Sequence, residues 1–399
     1  MLRAIAFGIG LCAVFALVLY VYYSGDTTPR PGSAEQPANY RALTKLTWID
    51  FSLVSPQVGW LLLGNTQNFP EDGRILATRD GGNTWYAQLS GPVLAMQFAD
   101  EQNGWAYVFS NNQATSTSPA PEKSACQCLK ATHDGGRSWQ ELPSPPKYLR
   151  SFKFVSEHDG WAVTVTTGDR GYETRLFRTM DGGVSWQERK LPPEIASSPV
   201  ALESAKDEHT SWLSFCREAD CRNRDLAVTI DGGVTWQTIS SPCAFSPEVS
   251  GRLGQYFIGS FLSENEWWVL CSTGDKQATV LYKTSDRGVH WLLAAESSGP
   301  GGLAALPPLY SGFNPPVWGD IGFLNPNDGW IAVGGPSGGP FVTHDGGATW
   351  KDTRLFELPA SRASFLDDNT HGWAMTGVSL LSTDDGGATW HQIYPPERR

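Results

Sequence analysis

One string of eight residues recurs seven times along the chain, in its fullest form T-x-D-G-G-x-T-W. The copies occupy residues 78–85, 132–139, 179–186, 229–236, 284–291, 343–350 and 383–390, and their aspartates are Asp80, Asp134, Asp181, Asp231, Asp286, Asp345 and Asp385. Successive aspartates are 40 to 59 residues apart. A repeat of this period with β signals restricts the chain to a radial array or a solenoid, in which each unit buries its apolar face against its neighbours.

A second motif runs in phase with the first. Each unit holds an apolar run, a polar turn and a tryptophan that opens another apolar run: Gly59-Trp60, Gly104-Trp105, Gly160-Trp161, Ser211-Trp212, Trp267-Trp268, Gly329-Trp330 and Gly372-Trp373. Two copies, Ser211 and Trp267, have lost the glycine. The two motifs together account for 14 of the 17 tryptophans. The third unit reads as strands over 149–155, 161–166, 174–180 and 185–190, with a polar loop at 167–173. Short β-rich runs separated by regular turn signals mark an all-β array. Four strands in each of seven units predict a seven-bladed β-propeller.

The box suits a tight turn between the third and fourth strands. Gly-Gly supplies left-handed backbone positions, and an Asp can accept hydrogen bonds from its own turn. Seven aspartates on seven blades therefore read as structural and not as a catalytic set. The box also lacks the alternating oxygen ligands of a calcium loop. The fifth copy departs most, with Arg287 for the first glycine and His290 for threonine; the turn is expected to survive, with His290 a surface strand residue and not a ligand. Ring closure is expected to fall to blade seven alone or to a strand borrowed from residues 40–47.

Residues 4–23, AIAFGIGLCAVFALVLYVYY, carry no charge. A helix of that length spans a bilayer core of about 30 Å, and its terminal tyrosines suit the membrane interface. The expected organisation is a cytoplasmic start at 1–3, a transmembrane anchor at 4–23, a flexible linker at 24–39, a propeller at 40–394 and a tail at 395–399. Arg3 before the span and Asp26 after it place the propeller on the extracytoplasmic side. The formal net charge of −11 argues against a nucleic-acid partner. Six cysteines follow the span, an even number that fits disulfides. Cys216 and Cys221 flank a short loop and are the first candidate pair; Cys243 and Cys271 form another between neighbouring units. Cys126-Gln127-Cys128 is too close for a relaxed bridge and leaves a redox or metal role open, with thin support for zinc.

If the boxes share one face with the turns before each Gly-Trp, the opposite face collects the long loops, where binding usually sits. Those loops offer Arg217, Arg222 and Arg224 in unit four, and Tyr310 and Trp318 in the segment 295–320. No catalytic set, cofactor or metal site is expected. Asp169, Glu173 and Asp320 are carboxylates that could approach the channel mouth, though nothing in the sequence places them together.

The boxes resemble the Asp-box (BNR) repeat. Together with the F-x-x-x-x-x-x-G-W half they look most like the photosystem II stability/assembly factor family and its relatives in non-photosynthetic bacteria, over residues 43–394. The resemblance implies a non-catalytic, membrane-anchored propeller that binds protein partners in or at the membrane and aids assembly or stability of a complex. The arginine group 217/222/224 is the nearest counterpart to that family's arginine-rich contact surface. Sialidases, xyloglucanases and sortilin-type receptors share the box, which keeps a glycoside hydrolase or a carbohydrate-binding receptor as alternatives. Sialidases resemble one another in an Arg-Ile-Pro motif, and the nearest string here is Arg74-Ile75-Leu76.

Overall fold

The computed structural model describes residues 47–64, 73–110, 126–168, 171–216, 224–245, 256–272, 279–296, 320–332, 340–353, 360–376 and 379–395. All of them fall in the second of two compact units, Pro37–Arg399; the first, Met1–Gln36, lies outside the described residues and contains the apolar run at 4–23. Among the described residues no helix is long and apolar enough to cross a membrane.

The described strands form seven four-stranded antiparallel sheets, each built from four consecutive strands. These are the blades expected from the repeats: 47–91, 93–141, 149–189, 200–239, 256–296, 320–352 and 360–394. First strands of successive blades touch one another, so the first strand of each blade is innermost. Seven apolar clusters fill the seven seams, and each takes its side chains from two neighbouring blades.

The seam between blades seven and one closes the ring. Blade seven owns all four of its strands, 360–394, and Thr47–Leu53 belongs to blade one, so the described residues contain no borrowed strand. Closure rests on packing instead. Phe51, Leu61, Trp85, Trp373, Met375 and Tyr394 share one buried cluster. The Trp85 indole N–H also donates across the seam to the Ile393 carbonyl at 3.1 Å.

The glycine before each second-strand tryptophan has a steric cause. Phe98 lies opposite Gly104 in register, and a Cβ on Gly104 would stand 2.4 Å from its ring. The freed space lets Phe98 lie flat on Trp60 of blade one, centroids 3.5 Å apart. Trp105 on Phe154 and Trp268 on Phe323 repeat the stack at 3.7 and 4.0 Å. Both units without the glycine have another way out. Ser211 faces Ala205, which has no ring to collide with. Trp267 faces Phe261, whose ring has moved over Gly259 (2.5 Å from a Cβ placed there), and its stack on Trp212 opens to 5.2 Å.

The boxes form the turns between third and fourth strands. In the first copy, the buried Thr78 hydroxyl donates to Asp80 Oδ1 and accepts from the Gly82 amide, both at 2.8 Å. Asp80 in turn accepts from the Thr84 amide at 2.9 Å and the Thr84 hydroxyl at 2.6 Å. Gly81 and Gly82 take φ of 69° and 96°, open to glycine at no steric penalty. The amide of the residue directly after each aspartate donates to the first-to-second strand turn of its own blade, as in Gly81 to the Gln57 carbonyl at 3.0 Å and Gly135 to Gln102 at 2.8 Å. That bond recurs in all seven blades, so both sets of turns share one face.

Two details correct the sequence reading. His290 is in the turn and not on a strand; its Nδ1 lies 2.6 Å from Asp286 Oδ2, in the place of the usual hydroxyl. Arg287 takes the left-handed position at φ 62° and is held by Glu264 at 2.7 Å. In unit three, residues 167–168 and 171–173 of the polar stretch read as a loop are strand. Strands Gly160–Gly168 and Gly171–Thr179 pair as far as Gly168 with Gly171, because threonine and tyrosine suit a ladder whether or not they are buried.

Overpacking a core by a methylene or two typically costs about 1–3 kcal/mol. Gly104→Ala is therefore expected to destabilise the ring by about that amount in urea unfolding. In a Phe98→Ala background the added loss should nearly vanish, and Gly168→Ala, with nothing within 4 Å, should be neutral. The boxes also set an acid limit. The Thr389 hydroxyl and amide hold the Asp385 carboxyl down to about 2, from an ordinary 3.8. A carboxyl lowered by folding adds stability that is present above its unfolded pKa and is lost as pH falls through the folded one. Melting temperature should thus fall between about pH 4 and pH 2, less steeply in Asp385→Asn than in the parent chain; parallel curves would disprove the assignment.

Candidate functional site

The seven box aspartates are consumed by their own turns. Each accepts from the first Thr of its box and from the residue four positions on, as Asp134 does from Ser138 at 2.6 Å and Asp345 from Thr349 at 2.6 Å. Asp181, Asp231 and Asp385 repeat the pattern. Chemistry has to be sought elsewhere.

The innermost strands supply it. Arg362 of blade seven binds the Asp50 carboxylate of blade one, and its Nε lies 3.8 Å from Asp320 Oδ2 of blade six. Its guanidinium also sits 5.3 Å from the Phe51 ring centroid. Burial raises the carboxyls of Asp50 and Asp320, against the pull of Arg362. Arg362 itself is raised: burial opposes its charge, but Asp50 and Asp320 outweigh that. These side chains keep 23%, 35% and 39% of their surface open, so the surroundings are a narrow wet channel and not a dry core.

Lys153 of blade three faces the same group. Burial and Arg362 lower its ammonium, while Asp50, Asp320 and Glu203 pull the other way. Glu203 of blade four is raised by burial, and accepts from the Ser214 hydroxyl at 2.5 Å. Ser214 accepts in turn from Arg224 at 2.9 Å. Residues Asp50, Gln97, Tyr107, Arg150, Lys153 and Arg362 help line a cavity of about 360 Å³ among blades one, two, three and seven. That volume is at the lower end of ligand pockets.

The sequence-predicted residues divide. Arg217, Arg222, Tyr310, Trp318 and Asp169 lie outside the described residues. Arg224 is not a free loop cation; it is drawn through Ser214 toward Glu203. Glu173 pairs with Arg175 at 2.5 Å, both exposed, while Asp320 does reach the channel. Cys216 is disulfide-bonded, with Cys221 outside the described residues. Cys243 and Cys271 are bonded across neighbouring units, with Cα atoms 5.4 Å apart. Cys128 is disulfide-bonded too and has no thiolate to offer a metal. Among the described residues no group of three His, Cys, Asp or Glu could hold a metal ion.

Asp50, Lys153, Glu203 and Arg362 were not singled out from sequence. The available signal was a charge between two apolar residues of a first strand, as in Ile49-Asp50-Phe51 and Phe152-Lys153-Phe154. In a propeller such a position faces the channel.

A sequence family described as "Sortilin, neurotensin receptor 3" (Sortilin-Vps10) matches residues 127–246, less than half of the chain. No curated protein matches it. Among solved structures, YCF48 bound to D1 peptide is similar at 17% identity and TM-score 0.53, over 86% of this chain and 94% of that one. YCF48 from Cyanidioschyzon merolae is similar at 16% identity and TM-score 0.52, over 88% and 98%. A prolyl endopeptidase matches at 11% identity and TM-score 0.54, over 88% of this chain but 50% of that one. The chain is a seven-bladed Asp-box propeller with the fold of YCF48.

Proposed function

We propose that this propeller is a non-catalytic protein-binding factor, tethered by residues 4–23 to the extracytoplasmic side of a membrane, where it aids assembly or stability of a membrane complex. The observation that carries this reading is the rigid ring around an open, charge-lined cavity. Ring and cavity are joined through seven packed seams, while the repeated acids are used up in their turns. The likeness to a peptide-bound propeller over nearly the full length of both chains supports it. The uncharged run at 4–23 and the linker at 24–39 supply the tether, with Arg3 before the span setting its direction.

The test is photo-crosslinking in intact membranes from two exposed positions, Lys147 on the loop face and Asn83 on the box face. Adducts with integral membrane proteins are expected from Lys147, and the chain should stay with the membrane after alkaline extraction. Capture of no protein from either position would sink the reading.

A glycoside hydrolase is the second reading, favoured by one observation. Asp50 and Asp320 are both raised carboxyls, and both face Arg362 in the channel. Such hydrolysis usually needs two carboxyl groups, one of them protonated. It predicts turnover of xyloglucan or sialosides by the purified protein, abolished in Asp320→Asn. Absence of turnover on both substrate classes would retire it.

A further inference from the structure

Tyr148 lies in the connection between the last strand of blade two, Gln140–Glu141, and the first strand of blade three, Leu149–Phe154. Connections of this kind lie on the face opposite the boxes. Its φ is 62°, the left-handed region, and the side chain is 60% exposed. A bulky residue there is strained, and such strain persists only where the surroundings impose it. The surroundings are specific. The Tyr148 amide donates to Gln127 Oε1 at 3.2 Å, and the Tyr107 hydroxyl donates to the same oxygen at 2.8 Å. Burial pushes the Tyr107 phenol up to about 12, which keeps it a donor at any working pH.

The strained residue borders the channel cavity. Tyr107, Leu149, Arg150 and Lys153 all line that cavity. Arg150 is the unpaired residue of a bulge, since Ser151 and Leu149 pair with successive residues of the next strand. A bulge re-aims a side chain at a sheet edge. Arg150 is exposed and has no hydrogen bond or ion pair among the described residues, whereas Lys153 is attracted by Asp50, Asp320 and Glu203 in the channel. The acids nearby are already engaged: Asp50 and Asp320 by Arg362, Glu203 by Ser214. An uncommitted Arg150, with Lys153 behind it, thus stands next in the chain to a tyrosine whose backbone is pinned, and beside the apolar Leu149 and Phe152. Tyrosine and arginine are the side chains that most often carry binding energy at protein interfaces, and an aromatic fixed beforehand loses little entropy on binding.

We infer that Tyr148, Arg150 and Lys153 form the docking point for an extended partner segment that sets a carboxylate beside an apolar side chain. This rests on the protein-binding reading. The apolar group packs on Tyr148 and Leu149, and the carboxylate takes the Arg150 fork, which suits bidentate recognition. Lys153 adds charge deeper in the channel.

The probe is a fluorescein-labelled, end-capped hexapeptide of alternating leucine and aspartate, with its leucine–asparagine counterpart as reference. Fluorescence anisotropy is read on the full chain in nanodiscs. The aspartate peptide should bind at least about tenfold tighter than the asparagine one, and less so as salt rises. Tyr148→Gly and Arg150→Gln should each weaken it at least about tenfold. Glycine accepts a φ of 62°, so Tyr148→Gly should not lower the melting temperature. A merely structural tyrosine would lower it together with binding, and that outcome overturns the inference. So do equal affinities for the two peptides, unchanged affinity in Tyr148→Gly, or binding of cellohexaose in place of the peptide through the same tyrosine. Membrane adducts from Lys147 that survive in the Tyr148→Gly Arg150→Gln double variant would move the docking point and leave the broader reading standing. Loss of all adducts in the parent chain would end both.

Discussion

The whole ring depends on one contact type, the insertion of a tryptophan from one blade into the seam with the next. Trp60, Trp105, Trp161, Trp212, Trp268 and Trp373 are almost completely buried, and each lies in the seam with the following blade. Several also use their indole N–H to reach the following blade: Trp60 to the Gly135 carbonyl at 3.2 Å, Trp105 to Gly182 at 2.8 Å and Trp268 to Gly346 at 3.1 Å. The acceptors are box glycines. The Gly-Trp half of one repeat thus docks on the Asp-box half of the next, which is why the two motifs keep phase. Buried indoles need such a partner, and the box turn presents a carbonyl in a fixed place.

This explains how much of the fold could be read from residues alone. The box spelled out its own turn, because Thr, Asp and the Gly pair each have a hydrogen bond or a backbone angle to satisfy. The count of seven followed directly. Closure did not, because a seam packed by Phe51, Trp85 and Trp373 looks in sequence like any other seam. Nor did the long hairpin of blade three, where polar residues imitate a loop although the ladder continues as far as Gly168 and Gly171.

The channel was legible only in part. Asp320 drew notice as a carboxylate able to approach the channel mouth, whereas Asp50, Lys153 and Arg362 are scattered charges in short first strands. Their meaning is collective: the ring brings together charges from blades one, three, six and seven that are separated by as many as 312 residues. Tyr148 carried less signal still. Nothing in Pro146-Lys147-Tyr148 announces a left-handed tyrosine; the cause is Gln127, about twenty residues away on another strand, and tertiary structure overrides local preference there.

The self-contained blades have a mechanical consequence. Strand exchange would make the chain's two ends a clasp, so a pull on either end would act directly on ring closure. Here a load arriving at Thr47 enters the innermost strand of blade one, whose backbone ladder runs to Gly59–Gly64 of its own blade, while Asp50 and Phe51 reach blade seven through side chains alone. The other six sheets are whole without it. Such a ring can take strain from one end as a local shear, because Leu61, Trp85, Trp373 and Tyr394 still hold the seam when the first strand is pulled.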